Sequence, residues 1–315
     1  MIISKTNFRV SLFGGSTDYL SYYKDHGALL IYFGLDKYAY SAVRRTPEIL
    51  DYETKVSYSI TETVQDNSQI QNNAVRGVLE FLGIKYGMEI SYMCDLPAQT
   101  GIGSSSSFTV GLLNAIHQMR GDVRSKKELA NEATYIERIL LKEAGGCQDA
   151  IAAAYGGLNS IHIFKHGDFE VRPLPVSEEF VSKMMDRSIL IYTGKSRKSY
   201  EIAKSHDGKD KSMIHSTAKL ALRAFCDQDL DLVAMLLHDS WRSKKEISPL
   251  ITSPEVDRIY DDLRSDGMIG GKLLGAGGSG FIFGIMEEDT KDRIKEKYKA
   301  RFVDVGISKV GTEIL

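Results

Sequence analysis

Residues Leu96-Pro97-Ala98-Gln99-Thr100-Gly101-Ile102-Gly103-Ser104-Ser105-Ser106-Ser107 set two glycines against four serines. Glycine lets a backbone approach an anion closely. Val110, Leu113, Ala115 and Ile116 follow at helical spacing, so a helix begins at the serine run. Its free N–H groups and positive dipole end then face the loop, which suits a chain of phosphates. A plain Gly/Ser linker or a serine cap is the alternative, and the helix that follows at once favours the phosphate. The run is not a Walker A loop: Gly194-Lys195-Ser196 supplies that tail, but Ile189 stands where the first glycine belongs. No H-R-D or D-F-G signature of a protein kinase occurs.

Two further segments carry glycines. Gly275-Ala276-Gly277-Gly278-Ser279-Gly280 spells G-x-G-x-x-G, yet Phe281-Ile282-Phe283-Gly284-Ile285 after it reads as a strand. A dinucleotide fold needs a helix there. What remains is a tight turn, or a loop packed beside the first one to close a nucleotide or acceptor site. In Arg9-Val10-Ser11-Leu12-Phe13-Gly14-Gly15-Ser16-Thr17-Asp18-Tyr19, an alternating strand delivers Arg9 and stops at two glycines. Ser16, Thr17 and Asp18 then offer polar groups suited to a polyol, although Asp18 alone reads more simply as a turn residue or cap.

Two carboxylates complete the set. Asp149 is the only formal charge between Glu143 and Lys165 and lies among small residues, so partial burial is expected. Burial raises a carboxyl pKa and a neighbouring arginine lowers it, which makes Asp149 a candidate base or a helix cap. Glu137 flanks the apolar stripe of a helix over 126–144, formed by Leu129, Ala133, Ile136 and Leu140. Local sequence alone reads it as solvated.

The chain must hold these groups with 315 residues, 43% of them hydrophobic and 26% charged, enough for about two domains with real cores. Forty Lys and Arg against 42 Asp and Glu give a net charge of -2, which argues against bulk nucleic-acid binding. Cys94, Cys147 and Cys226 form no CxxC pair, so neither a zinc nor a disulfide framework is indicated. The start resembles no signal peptide, and the apolar stretches are too short to span a bilayer. The expectation is a cytoplasmic protein with no membrane partner. Strands are expected at 8–13, 38–43, 89–93, 188–192, 281–285 and from 302. Helices are expected at 73–82, 126–144, 212–226, 229–243, 254–265 and 290–298. The pattern is α+β in two lobes, 1–180 and 181–315, meeting near residues 175–187.

Taken in order, the three glycine segments resemble the GHMP kinase superfamily (galacto-, homoserine, mevalonate and phosphomevalonate kinases) over nearly the whole chain. That resemblance implies an S5-like N-terminal domain and a ferredoxin-like C-terminal domain with the active site between them. It implies ATP and magnesium as cofactors. Pro97, Gly101, Ile102, Gly103, Ser104, Ser105 and Ser106 would form the phosphate loop, with Ser105 (or Ser104) on the metal. Glu137 lies twelve residues before Asp149, the family's spacing of metal carboxylate and catalytic aspartate. Asp149 would orient and deprotonate the acceptor hydroxyl, and Arg9 would offset charge beside it. Arg9 also favours a sugar, because mevalonate-type members place a lysine there.

Phe13-Gly14-Gly15-Ser16-Thr17-Asp18-Tyr19, and Gly146-Cys147-Gln148-Asp149 leading to Tyr155-Gly156-Gly157, look most like the D-glycero-D-manno-heptose 7-phosphate kinases. Cys147 departs from the lysine often seen there. Such an enzyme phosphorylates C1 of an acceptor that is already anionic. Ser16, Thr17, Asp18, Tyr19, Gly277 and Gly278 are the expected acceptor contacts. Lys195 and Arg197 are the expected contacts to its distal phosphate, with Arg44 and Arg45 as weaker candidates. The alternatives are a kinase for an unphosphorylated sugar and a non-catalytic sugar sensor on the same fold. The expected assembly is a monomer or homodimer.

Overall fold

The computed structural model describes residues 1–194, 200–205 and 207–315. The first lobe runs β1 (Ile2–Phe13), α1 (Leu20–His26), β2 (Ala28–Arg45), β3 (Thr54–Ser57), β4 (Thr61–Val64), α2 (Asn73–Phe81) and β5 (Met88–Cys94). It continues through α3 (Ser104–Met119), α4 (Lys126–Tyr135), α5 (Gln148–Tyr155), β6 (Leu158–Ile163) and β7 (Phe169–Pro173). The second comprises α6 (Glu178–Asp186), β8 (Ser188–Tyr192), α7 (Tyr200–Ser205), α8 (Ser212–Cys226), α9 (Leu230–Ile247) and α10 (Pro254–Ser265). It closes with β9 (Met268–Leu273), β10 (Phe281–Met286), α11 (Lys291–Tyr298), β11 (Phe302–Val303) and β12 (Glu313–Ile314).

The first sheet runs β12-β1-β2-β5-β3-β4, with β6 paired to β2 and β7 to β6. The length of β2 makes this branching possible: Ala28 to Phe33 pair with β6, and Ala39 to Arg45 pair with β5. The second sheet has the order β11-β8-β10-β9, antiparallel throughout. Numbered within the lobe, that is 4-1-3-2 with helical crossovers, the ferredoxin-like arrangement. The chain end returns to the start, because β12 pairs antiparallel with β1. The fold is thus α+β, as the patterning indicates.

Three apolar cores account for this layering. One lies between the first sheet and α2 to α5, with Val78, Leu112, Leu129 and Ile151 at its centre. A second joins the lobes: Phe8, Val10, Leu12 and Phe33 of β1 and β2 pack against Phe283, Leu190 and Phe225. The third backs the second sheet with α10 and Trp241. Over residues 8–12 strand alternation sets side-chain direction, and the irregular register after Ser11 lets Phe13 join Leu12 in that core. Phe8, Val10 and Leu12 enter the core between lobes, which leaves Arg9 and Ser11 facing α5.

One predicted helix is interrupted. The stripe over 126–144 is continuous in sequence, but regular α-helix ends at Tyr135 and Ile136–Leu140 forms a wider π-type turn. There the Leu141 N–H reaches the Ile136 carbonyl at 2.9 Å. Such turns rotate side chains off the regular helical face. Glu137 lies within this turn and is 2% exposed rather than solvated.

The two glycine loops touch backbone to backbone. A Cβ on Gly101 would stand 2.5 Å from the Leu274 carbonyl oxygen, and one on Gly275 would stand 2.5 Å from the Gly101 Cα. The Phe281 N–H donates to the Thr100 carbonyl at 3.2 Å beside them. Gly275→Ala should lower unfolding free energy in urea by about 1–3 kcal/mol more than Gly121→Ala. Gly121 has φ +73° against +67° for Gly275 but open space around it, so the difference isolates the contact. Equal losses would show that the loops do not bear on each other.

Candidate active site

Where the lobes meet, a cleft encloses about 1150 Å³, part of it open to solvent. Its centre is Arg9. The guanidinium grips Asp149 with two prongs, Nε to Oδ1 at 2.8 Å and Nη2 to Oδ2 at 2.7 Å. Its third nitrogen, Nη1, donates to the Gly101 carbonyl. The Arg9 backbone N–H donates to the Ile102 carbonyl at 3.0 Å. Arg9 is buried, while the Asp149 side chain keeps 30% of its surface exposed, open to the cleft. Asp149 lies in the first turn of α5, where the helix dipole also favours a carboxylate.

The neighbouring pair repeats the pattern. The Ser11 hydroxyl donates to Gln148 Oε1 at 3.0 Å, so alternate β1 residues hold consecutive α5 residues. The Gln148 backbone N–H donates to Asp18 Oδ2 at 3.0 Å, and burial raises the Asp18 carboxyl pKa. Asp18 lies so close to Gly146 that a Cβ there would overlap its carboxylate at 1.9 Å. Asp18, Ser16 and Tyr19 line the cleft. Lys211 lies 4.6 Å over the Tyr19 ring and fixes its plane.

The glycine–serine loop lies directly beside Arg9. Gly103 is the N-cap of α3 at φ 77°, in the left-handed region, and no side chain caps the helix. By contrast, α4 begins with a reciprocal Ser125–Glu128 capping box. The first N–H groups of α3 therefore open toward the cleft beside Ser104, Ser105 and Ser106, which line it. Such a start is suited to an anion. Behind it, the Ser106 hydroxyl donates to Glu137 Oε2 at 3.0 Å, and Arg138 Nη2 lies 3.3 Å from the same oxygen. Glu137 Oε1 is buried without a hydrogen-bond partner. Burial pushes the Glu137 carboxyl up to about 7.

Several expected residues serve other ends. Thr17 is fully buried and spends its hydroxyl on the Gly14 carbonyl at 2.7 Å, shaping the turn rather than lining the cleft. The Ile102 side chain belongs to the core between lobes, so only its backbone serves the loop. Pro97 is exposed and accepts the Thr100 hydroxyl at 2.7 Å, outside the cleft. Gly277 and Gly278 pack on Ile251, with the Gly278 N–H on its carbonyl at 2.8 Å; Gly275 and Ala276 line the cleft instead. Ser105 is exposed in the cleft, and it is Ser106 that meets Glu137. Arg44 pairs with Glu89 at 2.6 Å and Arg45 lies over Tyr86, both outside the cleft lining. Lys195 and Arg197 lie outside the described residues.

The cleft adds residues that sequence reasoning gave no role. Arg138 faces Asp18 and Glu137 and holds the Gly146 carbonyl at 3.0 Å. Its position beside Glu137 was the only sequence signal. Gln99, at φ 61°, lines the cleft before the loop glycines. Lys244 and Lys272 enter from the second lobe. Lys244 follows Ser240 by one helical turn on α9, and both line the cleft.

A carboxylate pinned by a buried guanidinium, on the same cleft as an uncapped helix start, is an arrangement suited to transfer of a phosphoryl group. Residues 71–157 match the N-terminal domain of the GHMP kinases, and residues 221–304 match their C-terminal domain. The chain belongs to the GHMP kinase family, whose members are ATP-dependent kinases of small molecules. Among curated relatives, a D-glycero-alpha-D-manno-heptose 7-phosphate kinase of Campylobacter jejuni is 27% identical over 310 residues, 92% of this chain and 91% of that protein. Two crystal structures share the fold. A D-glycero-D-manno-heptose 1-phosphate kinase from Bacteroides thetaiotaomicron has a TM-score of 0.81 at 22% identity, covering 100% of this chain and 99% of that one. A Lactococcus lactis galactokinase complexed with galactose has a TM-score of 0.76 at 16% identity, covering 100% and 95%. Among the described residues no helix is long and apolar enough to cross a membrane.

Arg9→Lys keeps the charge but not the paired prongs. Steady-state kinetics should show kcat lower by about 100-fold or more, with ADP affinity changed less than about threefold. An unchanged kcat would mean that charge alone serves.

Proposed function

We propose that this protein is an ATP-dependent sugar kinase that phosphorylates the C1 hydroxyl of D-glycero-D-manno-heptose 7-phosphate to give the 1,7-bisphosphate. The observation that carries a kinase reading is the two-pronged Arg9–Asp149 pair opening on the same cleft as the uncapped start of α3. The acceptor itself is supported by the likeness to the Campylobacter jejuni heptose 7-phosphate kinase and by Asp18, a buried carboxylate suited to sugar hydroxyls.

Asp149 accepts the proton of the acceptor hydroxyl as its oxygen attacks the γ-phosphorus. The bond from that phosphorus to the bridging oxygen breaks, and ADP leaves with the electron pair. An anomeric hydroxyl is more acidic than an ordinary alcohol, which suits a carboxylate base. Arg9 holds the Asp149 oxygens in place, so little reorganisation accompanies proton transfer. The α3 N–H groups hold the phosphates.

The residues present also fit a magnesium ion. Glu137 Oε1 is a buried oxygen without a partner, and the Ser106 hydroxyl adjoins its other oxygen. Magnesium commonly takes one or two protein oxygens and completes its shell with phosphates and water. Glu137 with Ser105 or Ser106 would hold it, and it would supply charge neutralisation on the phosphates.

A coupled ATP-consumption assay should find turnover on heptose 7-phosphate and none on free mannose, galactose or fucose. Asp149→Asn should lower kcat by at least about 1000-fold and keep ADP affinity. Turnover confined to a free sugar, or to heptose 1-phosphate, would overturn the acceptor assignment while leaving Asp149 as base.

Glu137 adds a pH dependence. Its carboxyl, held up to about 7, takes a proton below that pH and then competes with the metal. The magnesium concentration for half-maximal activity should therefore rise as pH falls from 8 to 6. Glu137→Gln should raise it at every pH and remove the slope. A slope that survives in the variant would assign the dependence elsewhere.

A further inference from the structure

The two walls of the cleft are charged differently. On one, Arg138 faces Asp18, Glu137 and Glu143, so its cation is surrounded by carboxylates. On the other, Arg9, Lys244 and Lys272 lie close enough to repel one another, and Asp149 is the carboxylate that faces Arg9 and Lys244. Arg9 already takes both oxygens of Asp149.

Both lysines are nearly removed from solvent, Lys244 at 6% and Lys272 at 4% exposure. Neither makes an ion pair among the described residues. Lys244 Nζ donates to the Gly275 carbonyl, and Lys272 Nζ donates to the Leu12 carbonyl at 3.0 Å. An ammonium has three donors, so each retains two. Buried cations of one sign without counter-charge are costly. Burial and the neighbouring Arg9 hold the Lys244 ammonium down to about 7, the mark of a cation short of an anion. Structural packing does not explain them: a methionine of similar length would fill the same space without this cost.

The position identifies the anion class. Lys244 bonds the loop that touches Gly101, and Lys272 bonds the end of β1 just before Gly14-Gly15-Ser16. The pair thus spans the gap between the phosphate loop and the acceptor segment, on the side of Asp149. Resting on the reading of this cleft as a phosphoryl-transfer site, we propose that Lys244 and Lys272 form a phosphoryl-binding subsite. A tetrahedral phosphoryl group accepting from both ammonium groups balances the wall's charge. Two groups in the reaction have that chemistry: the phosphoryl in transit from ATP, and the phosphate that the acceptor already carries.

The test uses the full chain with saturating ADP, so that the α3 start is filled. Inorganic phosphate is titrated by calorimetry against wild type, Lys244→Met and Lys272→Met. Lys244→Gln, which can still donate to Gly275, serves if a methionine variant does not fold, and Lys244→Arg and Lys272→Arg restore charge. Each neutral variant should weaken phosphate binding by at least tenfold, and each arginine variant should stay within about threefold of wild type. Equal binding by the neutral variants, or no binding by wild type, would overturn the subsite.

Kinetics on heptose 7-phosphate then separate the sources. A rise in KM for the acceptor with kcat kept assigns the subsite to the acceptor's own phosphate. A loss of kcat with KM kept assigns it to the phosphoryl in transit. If wild type turns over no heptose phosphate, the acceptor reading fails, while the phosphate titration still decides the subsite.

Discussion

A guanidinium buried in a protein must have all of its charge answered by fixed partners, and Arg9 imposes that constraint here. Its partners come from separate parts of the chain: the Asp149 carboxylate in α5 and the Gly101 carbonyl in the phosphate loop, beside the Ile102 carbonyl taken by its backbone N–H. The side chain extends from β1, whose opposite face builds the core between lobes. The glycine–serine loop, Asp149 and the lobe interface are therefore positioned by one strand. A lysine there could balance the charge but could not hold both Asp149 oxygens and a carbonyl in one plane.

The second constraint is the contact between glycine loops. Gly101 and Gly275 approach so closely that neither tolerates a side chain, and both adopt positive φ. This brings the second lobe against the phosphate loop and carries Lys244 to the site through its bond to the Gly275 carbonyl. The glycines that look most like a nucleotide motif, Gly277 and Gly278, instead anchor the loop on Ile251. Their work is to hold Gly275 and Ala276 at the cleft.

The electrostatics divide the cleft by function. The Arg138 wall is rich in carboxylates and hydrogen-bonding groups, which suits sugar hydroxyls and a metal. The Arg9 wall carries an excess of cations, which suits phosphoryl groups. Both are largely screened from solvent, so each interaction acts at a lower effective dielectric than at the surface. The same burial is expressed in the raised Glu137 and Asp18 and the lowered Lys244 and Lys272.

The sequence alone determined the features governed by local chemistry. Glycines before a helix, strand alternation in β1, and the order of three motifs gave the α+β class with two lobes and singled out the glycine–serine loop, Arg9 and Asp149, which the fold brings to one cleft. The positions of most longer helices followed from periodicity, since each buries one face, while the strands β3, β4, β6, β7, β9 and β12 were not expected. Only the tertiary structure decided what depends on packing between distant segments. The π-type turn hid the burial of Glu137, because an unbroken apolar stripe looks the same whether or not the helix widens. Thr17 and Ile102 sit in functional segments but point into the fold, and a motif does not record direction. Neither Lys244 nor Lys272 carried a role in the sequence. The packing of the lobes removes them from water and places them in the cleft beside Arg9.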